Sequence, residues 1–147
     1  MRTGFGKAVA LDPKYRLAWQ SLATILYETG DYTGATTAYG KILSLDAGHA
    51  QASHGLGLCR LKSGGAEAAL KLFDTALAAE PQNAEYHNSR GEALAQLGDD
   101  DLAVLAFGTA ARLSPSNAGF LGNLGNAQAR KGRFKEAAES LKKAVRL

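Results

Sequence analysis

Glycine returns at a fixed interval in this chain: Gly30, Gly64, Gly98 and Gly132 each stand 34 residues after the one before. Alanine does the same at Ala35, Ala69, Ala103 and Ala137, and small residues do so at Ala23, Gly57, Gly91 and Gly125. A column of large apolar residues runs through Phe5, Tyr39, Phe73, Phe107 and Leu141. Pro13, Pro81 and Pro115 share the spacing, with Ala47 in the remaining slot. Columns of such different chemistry agreeing on one period describe a repeat array. Each unit of such an array is too small to bury its apolar face alone and must stack on its neighbours.

Each period reads as two helices. In 84–117, an amphipathic stretch runs from Ala84 to Leu97, Gly98 breaks it, and a second runs from Asp100 to Leu113. Glycine suits the left-handed residue that ends a helix. Asp31 and Asp99, one residue later, suit the N-cap of the second helix, and Asn83 and Asn117 suit that of the next first helix. The prolines push the residue before them out of helical space and so end the second helix. The small columns leave room for close helix approach, and Phe73 or Phe107 is expected to fill the gap between neighbouring units.

With these residues in place the pattern resembles the tetratricopeptide repeat family. Trp19, Leu22, Ala23, Leu26, Gly30, Asp31, Tyr32, Ala35, Tyr39 and Leu45 carry the resemblance best, and Leu124, Gly125, Gly132, Phe134, Ala137, Leu141 and Ala144 carry it at the end. It covers nearly the whole chain: a partial repeat over 5–13, then repeats 16–49, 50–83, 84–117 and 118–147 of a single array. The fold it implies is all-α, a right-handed α-solenoid of helix–turn–helix repeats. Both ends look unfinished, with Leu141 and Val145 of the last helix partly uncovered.

The resemblance implies a concave groove lined by the first helix of each pair. Helical spacing then selects Gln20 and Thr24, then His54, Leu58 and Lys62, then Asn88, Glu92 and Gln96, then Asn123, Asn126 and Arg130. This lining is polar and rich in carboxamides, which carry donors and acceptors together. Such groups pair with the exposed backbone of an extended peptide, and Asn88, Asn123 and Asn126 are the leading contacts; the bland alternative is a solvated helix surface. The positions matching the family's carboxylate clamp, among them Gln20, Thr24, Gly55, Glu85 and Ser89, supply no cation, so a chaperone tail is not the expected ligand.

Nothing in the sequence points to catalysis, a cofactor or a metal. His49, His54 and His87 do not converge, Cys59 reads as a small core residue, and no base stands beside a nucleophile. With one cysteine, neither an internal disulfide nor a cysteine zinc cage can form. The Asp99, Asp100 and Asp101 run reads as a helix start, where carboxylates are favoured. The net charge of +3 is too small to imply nucleic acid. The basic stretch from Arg130 to Arg146 has only Phe134 for stacking. No apolar run approaches the ~20 residues that span a bilayer, and no apolar leader precedes the array, so a cytoplasmic chain is expected if the sequence is not an excerpt.

The expected function is therefore a non-catalytic scaffold that takes a protein or peptide partner in its groove. The alternative is a substrate- or partner-docking segment of a larger enzyme, as the family provides in some glycosyltransferases and sulfotransferases. Self-association through the uncovered ends is a further expectation.

Overall fold

A computed structural model describes residues 13–147, and the expected partial repeat at 5–13 lies, but for Pro13, outside them. The described residues form eight helices and no strand: α1 (Pro13–Glu28), α2 (Tyr32–Leu45), α3 (Ala50–Lys62), α4 (Ala66–Ala79), α5 (Ala84–Gln96), α6 (Asp100–Leu113), α7 (Ala118–Arg130) and α8 (Phe134–Arg146). The fold class is all-α, a solenoid of helix–turn–helix repeats. The helices form two compact units, one ending at Ala79 and the other spanning Glu80–Leu147.

The 34-residue punctuation works as the residue types dictate. Gly30, Gly64, Gly98 and Gly132 have φ of 88°, 84°, 82° and 78°, and no other described residue has positive φ. At Gly98 the chain closes α5 with a paired-bond cap: Gly98 N–H donates to Ala95 O at 3.1 Å and Asp99 N–H to Leu94 O at 2.9 Å. Asp99 then caps α6, its Oδ1 accepting from Leu102 N–H at 3.2 Å. One dipeptide thus ends one helix and starts the next. Asp31 repeats this on Gly34, and Asn83 and Asn117 cap α5 and α7 through Tyr86 and Phe120. His49 caps α3, its Nδ1 accepting from Ala52 N–H at 3.1 Å. Pro13 heads α1, three residues before the expected repeat start; at a first helical position its missing N–H costs nothing.

The first unit buries Ala23, Ala35, Ala38, Tyr39, Ile42, Ala52 and Cys59, with Trp19, Leu26, Tyr27, Leu43 and Leu56 packed around them. Burial pushes the Cys59 thiol pKa up, which keeps it protonated and inert. In the second unit Tyr86, Ala93, Leu94, Ala103, Phe107, Ala110, Leu121 and Ala127 are buried. The rings of the aromatic column pack onto glycines, within a pair as well as between pairs. Phe107 lies on Gly91 of its own pair, where an added Cβ would stand 2.7 Å from the ring, and Phe73 lies on Gly57 in the same way. Tyr39 instead covers Gly55 of the following pair. The reason is geometric: a helix position without Cβ is the one place where a ring can approach the neighbouring backbone.

At the end of the chain Leu141 is 36% and Val145 83% exposed, as the pattern indicated. Among the described residues no helix is long and apolar enough to cross a membrane.

His54 departs from expectation. Helical spacing points it to the groove, but it is only 8% exposed, and its ring packs against Phe73 with centroids 5.5 Å apart. Burial lowers its pKa from 6.5 to about 4. Between those values the unfolded chain binds a proton that the folded chain refuses. Stability is therefore full above the unfolded value and falls with pH down to the folded one, by about 3 kcal/mol in all at about 1.4 kcal/mol per unit. Urea midpoints of the wild type and a His54→Leu variant, taken at neutral pH and near pH 4, should show an extra acid loss in the wild type. Equal losses would deny His54 this role.

Candidate functional site

The second unit carries a cleft of about 350 Å³, lined by Glu92, Ala95 and Gln96 from α5, Phe107 from α6, and Asn123, Asn126 and Arg130 from α7. Five of these are groove residues chosen from the sequence: Glu92, Gln96, Asn123, Asn126 and Arg130. Positions 92 and 96, and 126 and 130, are one helical turn apart, so each pair lies on one face of its helix. α6 packs on both α5 and α7, and Phe107 gives the cleft an apolar element among its polar groups.

A carboxamide bridge spans the two first helices. Asn123 Nδ2 donates to Asn88 Oδ1 at 3.0 Å, and Asn88 Nδ2 donates to Glu92 Oε1 at 3.2 Å. Asn88, expected as a leading partner contact, is 8% exposed and does not line the cleft. It sits at the seam between α5 and α7 and orients two side chains that do line it. Asn126 and Gln96 are exposed, and Asn123 is half-buried. The site thus offers carboxamides around a cleft floored by the edge of the buried Phe107 ring, a surface able to hydrogen-bond an extended backbone.

The remaining sequence-selected residues, Gln20, Thr24, His54, Leu58 and Lys62, belong to the first unit and do not line this cleft. The Thr24 hydroxyl donates to Gln20 O at 2.9 Å. Leu58 is half-buried and Lys62 exposed. The first unit has its own apolar cleft of about 520 Å³ among Trp19, Leu22, Leu26, Gly34, Thr37, Ala38 and Lys41. Sequence reasoning assigned it no role, because Trp19 and Leu22 read as packing residues of the repeat.

Arg130 is also tied down. Its Nε lies 3.1 Å from Asp100 Oδ1, while Lys131 Nζ and Arg133 Nη2 lie 3.1 and 3.8 Å from Asp101 Oδ1. The aspartates read as a helix start therefore also pair across to the turn after α7. Among the described residues no three His, Cys, Asp or Glu side chains gather as metal ligands.

Models of the tetratricopeptide repeat match residues 26–97, 84–117 and 101–147. No curated protein sequence matches the chain. Among solved structures, a MamA fragment from Desulfovibrio magneticus RS-1 is 29% identical with a TM-score of 0.82, covering 92% of this chain and 75% of that one. A second MamA structure, 23% identical with a TM-score of 0.83, covers 97% of this chain and 83% of that one and shares the fold.

The bridge makes Asn88 a structural residue and leaves Asn126 a surface one. Asn88→Ala should cost about 1–3 kcal/mol in urea unfolding, since it strands a buried donor–acceptor pair. Asn126→Ala should stay within about 0.5 kcal/mol of wild type. Equal costs would remove the distinction.

Proposed function

The chain belongs to the tetratricopeptide repeat family, and on that footing we propose that it is a non-catalytic scaffold whose second-unit cleft grips an extended segment of a protein partner. The family supports protein interaction as the general role. The observation that carries it is the convergence of Gln96, Asn123 and Asn126 on one cleft beside Phe107. Carboxamides at a concave, mostly polar surface meet what an extended chain presents: alternating carbonyls and N–H groups, with side chains directed to either side. Glu92 and the Asn88 bridge hold Asn123 in place, so less ordering is left to binding itself.

A random dodecapeptide library panned on the full chain supplies the probe. Titration calorimetry of an enriched peptide should then show Gln96→Ala/Asn126→Ala binding about 10- to 100-fold more weakly, the loss of two hydrogen bonds of about 0.5–1.5 kcal/mol each. Asn88 is left intact, so that a folding defect does not pass for a binding one. Unchanged affinity in the double variant, with circular dichroism equal to wild type, would move the binding site elsewhere.

A further inference from the structure

The ion pairs of the second unit are not part of the repeat. At 34-residue spacing Asp100 aligns with Tyr32, Ala66 and Phe134, and Arg130 aligns with Glu28, Lys62 and Gln96. The fold is built in the other pairs without this acid–base match. Nor are the pairs sheltered enough to contribute much stability. The Arg130 and Asp100 side chains are 47% and 26% exposed, and Asp101 is 64% exposed. Pairs as wet as these typically contribute little.

What they change is the charge at one corner of the cleft. Arg130 lines it, and Lys131 and Arg133 follow within one turn of chain. Alone, three adjacent cations would draw acidic chains to the cleft. Asp100 and Asp101 offset two of these three charges at 3.1–3.8 Å, and Glu92 is the carboxylate in the lining itself. Asp100 also engages Arg130 through Nε, while the two terminal nitrogens of that guanidinium carry no hydrogen bond among the described residues. Arg130 is left as a donor fork with its charge answered.

Resting on the reading of the cleft as a peptide site, we propose that Asp100 and Asp101 determine which segments it accepts: they make Arg130 a donor to uncharged backbone carbonyls and turn acidic chains away. Specificity of this kind is gained by opposing the wrong partner as much as by fitting the right one.

The test compares the full-length wild type with Asp100→Asn/Asp101→Asn, which keeps Asp99 as the α6 cap. A Glu67→Gln/Glu139→Gln variant changes net charge equally at exposed sites on second helices, away from the cleft lining. Each is panned against the dodecapeptide library and titrated over a salt series with an oligothymidylate, used only as a polyanion probe. The aspartate variant should enrich Asp- and Glu-rich peptides that the wild type does not. Its log affinity for the oligothymidylate should fall more steeply with log salt, by about 1.4, as expected for two freed unit charges at ~0.7 each. Adding Arg130→Gln, Lys131→Gln and Arg133→Gln should abolish both gains. Acidic peptides enriched already by the wild type would overturn the inference, as would a salt slope no steeper than that of the glutamine control. If no peptide is enriched on any of the proteins, the peptide reading itself fails and this inference falls with it; enrichment without the predicted acidic shift leaves that reading standing and sinks only the role of the aspartates.

Discussion

The structure depends on a two-residue turn. A glycine at positive φ closes one helix, and the residue after it lends its N–H to that closure. Where that residue is Asp31 or Asp99, it also caps the helix that follows. No L side chain takes that φ without strain, and few side chains cap as well as Asp. Helix ends with no loop between them leave antiparallel packing as the way to bury two apolar stripes at once. The small residue on the first helix then meets the ring on the second, as Gly91 meets Phe107. The cleft follows from the same turn, because it fixes where Gln96 ends α5 and where Phe107 stands behind it.

The period made much of this legible. Glycine, aspartate, asparagine and proline each have a local backbone preference, so their positions state where helices stop and start without reference to tertiary structure. What the period could not state is which part of the first helix its neighbours cover. His54 and Asn88 occupy the same column, 34 residues apart, and both are 8% exposed. Helical spacing placed them beside groove residues because position 88 is one turn from position 92. Burial there is a property of two helices, and a single helical wheel does not contain it. The shared column was the available signal: one residue type would have been uninformative, but an imidazole and a carboxamide at one register position invite the question of what satisfies them.

The acid–base match between 100–101 and 130–133 was missed for a related reason. Each run has a sufficient local explanation, a helix start for the aspartates and a solvated face for the cations. Only the fold of α6 against the end of α7 brings them within 3.1–3.8 Å. Such pairs contribute little to folding and much to what a surface attracts, so the stability of a repeat protein and its choice of partner can rest on different residues. Here packing rests on glycine, alanine and aromatic columns, while the cleft chemistry rests on positions the period leaves free.

The account turns on Gln96, Asn123 and Asn126 acting together on one bound segment. Their side-chain carboxamide resonances, followed by nuclear magnetic resonance in chain labelled at Asn and Gln while a library-selected peptide is added, report this directly. The account predicts that these three shift and saturate along one binding curve, while the helix-capping carboxamides of Asn83 and Asn117 stay in place. Saturable binding that leaves all three unmoved would contradict it.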